Sequence, residues 1–412
     1  MGYFVVDGGV PLEGQVEISG AKNAALPILF ATLLLEGTTT LYRVPDIGDT
    51  RLALEILRGM GAEVHHLDAH TLSIKTDSCS PDAIPLHLTG EMRASAYLLG
   101  ACLARFGRCP IPTTGGCDFG DRPLDRHYGV FQAMGAKTSG ELFAEGSLRA
   151  IRHRFSEVSV GATINAVFAA IAADGVTRLE NCAREGHVTD LLRFLRQSGA
   201  CIRGIGSSEL IISGGTPLKG SRYTILPDEI EAGTYLSAVA ATGGRITTLG
   251  VSPHALRPLT NALIQMGCEV QEGVFSVTCK REGPLKGVQV VTGPHPAFPT
   301  DLHPPLVAVM LQAEEPSSLC ETVWRDRYQY TRELSKLGAH LKIEGDTLRV
   351  YPTPLTAGDM IATDLRGGAA CLISALACKG YARIEKGERL LRGYESLGVK
   401  LTSLGGRVRY FP

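Results

Sequence analysis

Basic side chains recur at one kind of place in this chain, just ahead of segments patterned as helices. Lys22-Asn23, Arg93 and Arg366 precede stretches rich in small apolar residues; Arg122, Arg184, Arg325, Arg327, Arg389 and Arg392 precede amphipathic ones. Glu157 with Ser159, Asp228 to Glu231, Asp301, Asp364, Glu185 and His254 occupy matching positions. A helix start already offers unpaired N–H groups and about half a positive charge. A cation there opposes the dipole and needs another reason. A polyanion bridging several helix starts supplies one. Surface ion pairs would account for any one of these residues, but less well for their recurrence.

One loop adds a thiol: Thr113-Thr114-Gly115-Gly116-Cys117-Asp118-Phe119-Gly120-Asp121-Arg122-Pro123. Its three glycines allow a sharply turned backbone. A helix start and Arg122 close to Cys117 can shift the thiol's pKa. The pattern alone leaves Cys117 open between a reactive thiol and a structural one.

The elements that carry these residues repeat. Six helix-like segments end in a small or apolar residue, a glycine, a small residue and a strand, at Gly61, Gly135, Gly199, Gly267, Gly338 and Gly398. The spacings are 74, 64, 68, 71 and 60 residues, a period that marks a repeat architecture. In the first copy, Thr38 to Val44 reads as a strand and Asp49 as a helix cap. Ala53, Ile56, Leu57 and Met60 then form an apolar helix face ended by Gly61. Three residues before the pre-glycine position lie Leu57, Phe131, Leu195, Leu263, Leu334 and Tyr394; seven before it lie Ala53, His127, Leu191, Leu259, Tyr330 and Leu390. Only His127 interrupts this apolar pattern. Each copy has an earlier helix that is apolar nearly all round, as buried helices are: 23–35, 94–106, 161–173, 233–242, 304–314 and 368–378. The reading is an α/β chain of six strand-and-helix units, with one buried and one outer helix each.

At 412 residues the chain should hold about two or three domains. Three repeats each gives two, with a join near Leu226-Pro227-Asp228. A net charge of −1 gives no reason to expect a nucleic-acid or membrane partner. The eleven cysteines lack any C-x-x-C or zinc spacing, which fits reduced thiols in a cytoplasmic protein and no metal. The longest apolar run, Ala24 to Leu35, is interrupted by Pro27 and is too short to span a bilayer. No signal-peptide pattern, Walker motif or G-x-G-x-x-G after a strand occurs. Nucleotide hydrolysis and dinucleotide redox chemistry therefore have no support, and no cofactor is expected.

Several segments together carry a resemblance: Ser19-Gly20-Ala21-Lys22-Asn23-Ala24-Ala25, Met92-Arg93-Ala94-Ser95, the Gly-Gly-Cys loop, Ser159-Val160-Gly161-Ala162-Thr163, Pro294 to Asp301, Ala362-Thr363-Asp364-Leu365-Arg366 and Arg392-Gly393-Tyr394-Glu395. In that order they resemble the UDP-N-acetylglucosamine 1-carboxyvinyltransferases, a family of enolpyruvyl transferases that open peptidoglycan synthesis, essentially end to end. The resemblance implies two inside-out α/β barrel domains of three strand-helix repeats, residues 21–227 and residues 1–20 with 228–412, and an active site in the cleft between them. It implies two small-molecule substrates, phosphoenolpyruvate and a UDP-sugar. Lys22, Asn23, Arg122, Arg366 and Arg392 match the phosphoenolpyruvate contacts. Asn23, Arg93, Arg122, Pro123, Leu124, Asp125, Arg126, Ser159, Val160, Gly161, Asp301, Val323 and Arg327 match the UDP-sugar positions. Cys117 matches the general acid, Asp301 the group at the acceptor hydroxyl, and Lys22 and Arg392 the other catalytic residues. The resemblance also implies a target for the epoxide fosfomycin.

Some positions depart from the family's pattern. Glu157 stands where the family has Lys, Glu229 where it has Arg, and Arg126 where it has Leu. Arg389-Leu390-Leu391 replaces His-x-Asp, and Leu302-His303-Pro304-Pro305 replaces Met-Gln-Ala-Gln. Exchanging Lys for Glu beside a diphosphate swaps attraction for repulsion, each worth roughly 4 kcal/mol at about 4 Å and an effective dielectric near 20. Arg126, Arg152 or Arg154 could compensate. Alternatives are therefore the same transfer onto another nucleotide or nucleotide sugar, and a non-catalytic paralogue that binds a nucleotide sugar. Shikimate-phosphate transfer is disfavoured because that family lacks the cysteine loop.

Overall fold

The computed structural model describes residues 2–110, 115, 124–139 and 143–412. Among these, the chain forms two compact units, one from residues 20–226 and one from residues 2–19 with 227–412. Each has its own apolar core.

In the unit of residues 20–226, buried helices alternate with outer ones. They are α1 (Lys22–Ala31), α2 (Gly48–Gly59), α3 (Tyr97–Phe106), α4 (Asp125–Ala133), α5 (Val160–Ala172) and α6 (Gly186–Gln197). The buried helices α1, α3 and α5 are rich in alanine and leucine, and α3 packs against both of the others. The other unit repeats the scheme with α7 (Glu229–Thr242), α8 (Pro253–Gln265), α9 (His303–Met310), α10 (Tyr330–Ser335), α11 (Leu365–Ala377) and α12 (Leu397–Ser403). Here α7, α9 and α11 pack on one another. A Cβ on Gly233 of α7 would fall 2.7 Å from the terminal methyls of Leu302, so α7 packs closely on the start of α9 at this glycine. Leu236, Val239, Leu306 and Val307 are fully buried in this core, each stabilising by about 1.5–3 kcal/mol.

The sheets share one plan. Thr38–Tyr42 pairs in parallel with Arg222–Thr224 and antiparallel with Leu72–Lys75, which pairs with Glu63–His66. Four other sheets have the same one parallel and two antiparallel pairings. A further sheet has three described strands, Arg108–Pro110, Phe143–Glu145 and Lys137–Ser139. The edge strand Leu12–Glu17 pairs in parallel with Gly244–Leu249. The first strand, Tyr3–Gly8, lies between Gly380–Glu385 and Arg407–Phe411.

The repeat is confirmed, with one correction of register. The outer helices end at glycines with positive φ: Gly61, Gly135, Gly199, Gly267 and Gly338, at 90–112°. The sixth is Gly405 (φ 88°); Gly398 lies inside α12. The inward residues of this copy are accordingly Leu397 and Leu401, both buried. Leu390 and Tyr394 belong to the short helix Gly387–Arg392 and the turn after it. A Leu-Gly-Val run inside a helix imitates a helix end; the strand that must follow begins only at Arg407.

Ten cysteines other than Cys117 are free thiols. Among the described residues, no helix is long and apolar enough to cross a membrane.

Candidate active-site residues

In the unit of residues 20–226, the starts of the buried helices carry the expected side chains. Lys22 opens α1, and its Nζ lies 2.8 Å from Oδ2 of Asp49. Asp49 is buried in the first turn of α2. Its role is thus ion pairing with Lys22, while Thr50 accepts from the N–H of Ile47 at that helix start (3.2 Å). Asn23 follows Lys22 and is half-buried. Arg93 opens a short helical turn, Arg93–Ala96, that leads into α3. Burial pushes its guanidinium below the usual value, and Tyr97 and Tyr128 oppose that.

Ser159 caps α5, its Oγ accepting from the N–H of Ala162 at 3.3 Å. Val160 and Gly161 form the first turn. A Cβ on Gly161 would lie 2.9 Å from the His127 ring, which explains the glycine. His127 is the residue that interrupts the apolar face of the outer helices. Its Nδ1 accepts from Asn165 Nδ2 (2.7 Å), whose amide also donates to Ala96 O (3.0 Å) and accepts from Gly100 N (2.7 Å). One buried polar network thus ties α3, α4 and α5 together. Burial, then Arg93 and Arg126, push His127 down to about 3, so it is neutral and carries its proton on Nε2.

Leu124 is buried just before α4, and Asp125 is exposed in its first position. Arg126 pairs with Glu157. Two departures from the family's pattern therefore meet in one ion pair. Arg152 and Arg154 do not reach Glu157; they pair with Glu180 at 2.7 and 3.5 Å. Cys117, Arg122 and Pro123 lie outside the described residues.

In the other unit, Asp301 lies in the short helix Thr300–Leu302 that leads into α9. Its Oδ1 accepts from Arg327 Nη1 at 2.9 Å, and its Oδ2 from Arg366 Nη2 at 3.3 Å. Asp301 is 28% exposed, whereas the two arginines are 3% and 2% exposed. The carboxylate is accessible and the cations that orient it are not. Asp364 caps α11 by accepting from Arg366 N and Gly367 N (2.9 and 3.0 Å). That cap fixes the backbone from which Arg366 springs. Arg366 also lies 5.1 Å from the Tyr394 ring centroid. Against burial, Tyr394, Asp301 and Asp228 push its guanidinium above the usual value.

Arg392 is half-buried at the end of Gly387–Arg392. Arg389, another departure, donates to Ala362 O at 2.9 Å and to Thr363 O, so it ties this helix to the segment before α11. Glu229 stands in the first turn of α7 beside the cap Asp228, where an acid suits the helix dipole. The N–H of Val323 is turned onto Glu321 Oε1 at 2.8 Å.

The sequence pattern missed three groups that hold these residues: Asn165, Thr300 and Glu321. A buried Asn or Glu amid apolar runs is the available signal, and it names no partner.

A family model described as EPSP synthase (3-phosphoshikimate 1-carboxyvinyltransferase) matches residues 6–401. A UDP-N-acetylglucosamine 1-carboxyvinyltransferase 3 from Caldanaerobacter subterraneus subsp. tengcongensis is 42% identical over 414 residues, covering 99% of each chain. A UDP-N-acetylglucosamine 1-carboxyvinyltransferase from Clostridium botulinum is 40% identical with the same coverage. Among solved structures, the enolpyruvyl transferase NikO from Streptomyces tendae superposes with a TM-score of 0.90 at 27% identity, covering 99% of this chain and 98% of that one. An EPSP synthase from Acinetobacter baumannii gives 0.75 at 18% identity over the full length of both, a likeness of fold.

Proposed function

We propose, from the premise that the chain belongs to the EPSP synthase family of 1-carboxyvinyl (enolpyruvyl) transferases, that it transfers the enolpyruvyl group of phosphoenolpyruvate to the 3-hydroxyl of UDP-N-acetylglucosamine and releases phosphate. This is the committed step toward peptidoglycan and belongs in the cytoplasm, where both substrates are made. The observation that carries the reading is Asp301, an accessible carboxylate aimed by two buried guanidinium groups.

In this reading Asp301 accepts the proton of the acceptor hydroxyl as its oxygen attacks C2 of phosphoenolpyruvate. Cys117 protonates C3, which makes C2 electrophilic; a thiol near its usual pKa of about 8.5 is mostly protonated at neutral pH. The tetrahedral adduct then loses a proton from C3 and expels phosphate, restoring the carbon–carbon double bond. Lys22, Arg122 and Arg392 neutralise the phosphate and carboxylate and Asn23 hydrogen-bonds beside them, while Arg366, buried and paired with Asp301, adds positive charge behind that carboxylate. Arg93, Pro123, Leu124, Asp125, Ser159, Val160, Gly161 and Val323 line the UDP-sugar, and the buried Arg327 serves it by orienting Asp301. The reading requires residues of both units to serve one pair of substrates.

Glu157, an acid where the family has Lys, motivates a second reading, the same transfer onto another nucleotide or nucleotide sugar. Phosphate release measured over a panel of acceptors separates them. Turnover with UDP-N-acetylglucosamine is expected; its absence, with turnover on another acceptor, establishes the second.

A further inference from the structure

Glu321 follows the strand Ser317–Cys320 and is completely buried. Five donors converge on its carboxylate. Oε1 accepts from Thr292 Oγ1 (2.9 Å), Val323 N (2.8 Å) and Trp324 N (2.9 Å); Oε2 accepts from Thr300 Oγ1 (2.8 Å) and His303 Nδ1 (3.0 Å). Although burial would raise it, this set, His303 foremost, holds the carboxyl down at about 2. His303 is equally buried, and its Nε2 lies 2.8 Å from Tyr330 OH. Burial pushes the ring below its usual value and so favours the neutral form, in which Nδ1 donates to Glu321 and Nε2 accepts from Tyr330.

The network leads to the candidate site. Thr300 has one hydroxyl proton, and Glu321 Oε2 takes it. The lone pairs of Thr300 Oγ1 then face Arg327 Nη1 at 3.0 Å, and that same nitrogen donates to Asp301 Oδ1 at 2.9 Å. Glu321 therefore fixes the hydroxyl that aims Arg327, and Arg327 aims Asp301. From the other side, His303 pins the start of α9, two residues after Asp301. We infer that Glu321 and His303 are positioning residues for Asp301. The inference rests on the acceptor-side role given to Asp301 above.

A network that only stabilised the core would lose melting temperature on mutation and leave turnover by the folded enzyme intact. The test uses the full-length chain and the variants Glu321→Gln, His303→Leu and His303→Gln, checked first for folding by thermal melting. Glu321→Gln replaces one accepting oxygen by an NH2 group that must face two or three of these donors. It should lower kcat at least 100-fold while leaving KM for phosphoenolpyruvate within about threefold. His303→Leu should lose about tenfold in kcat. His303→Gln, whose amide can both donate to Glu321 and accept from Tyr330, should restore near-wild-type kcat. Folded Glu321→Gln enzyme with unchanged kcat overturns the inference, as does His303→Gln no better than His303→Leu. If wild-type enzyme releases no phosphate with UDP-N-acetylglucosamine, the acceptor reading fails. The inference is then judged by crystal structures of wild type and Glu321→Gln: loss of the Arg327–Asp301 bond supports it, and its retention overturns it.

Discussion

Asp301 commits one oxygen to Arg327 and the other to Arg366, yet remains accessible. A carboxamide at this position keeps the shape but loses the base and the ion pairing with both arginines. Asp301→Asn should therefore lower kcat by about 10²–10⁴-fold, the usual range for a general base, measured as phosphate release at saturating substrates. His127 makes a prediction about pH. Its pKa falls from about 6.5 in the unfolded chain to about 3 in the folded one, so the unfolded state binds more protons between those values. Stability is then fully present above about pH 6.5 and is lost as pH falls toward 3. His127→Gln keeps an acceptor for Asn165 and removes the titration. Its urea midpoint should vary less over that interval than the wild type's.

At the scale of elements, the glycines that end the outer helices separate what was legible from what was not. Five were read correctly because a left-handed glycine, an apolar face and a following strand coincided. The sixth was misplaced because Leu397-Gly398-Val399 imitates a helix end locally; only the strand pairing of Arg407–Phe411 puts the end at Gly405. Gly405→Ala should lower stability by about 1–2 kcal/mol through strain at positive φ. Gly398→Ala, inside a helix and meeting only Phe4 at 3.5 Å, should not lower it. Thermal melting of both variants reads the register directly.

The helix starts were likewise legible, since charge at a dipole of the same sign is visible in one dimension. Their partners were not. Asp49, Asn165 and Glu321 reach Lys22, His127 and Thr300 beside Asp301 across 27, 38 and 21 residues of sequence, distances that only the fold closes. Glu157 is the informative case. Its sign alone suggested repulsion of a diphosphate, but its carboxylate is spent on Arg126. Both side chains are substantially exposed, so the pair itself stabilises little. Glu157→Lys should lower KM for the UDP-sugar acceptor and leave KM for phosphoenolpyruvate unchanged in steady-state assays.

At the scale of the whole molecule, each unit has its own core, and the chain order is discontinuous. Residues 2–19 belong with 227–412. Tyr3–Gly8 is a central strand there, paired on both edges, with Phe4 and Val6 fully buried. Removing residues 2–8 should open the sheet that holds Gly380–Glu385 and Arg407–Phe411. Limited proteolysis should then cut the region 227–412 and spare 20–226.

The most direct measurement of the central claim is a single incubation of the purified full-length protein with phosphoenolpyruvate and UDP-N-acetylglucosamine, followed by phosphate assay and mass spectrometry. One phosphate should be released for each UDP-N-acetylglucosamine made heavier by one enolpyruvyl group, with Asp301→Asn slowing both signals by about 10²–10⁴-fold. Acceptor recovered unchanged, with no phosphate released by folded wild-type protein, would contradict the claim.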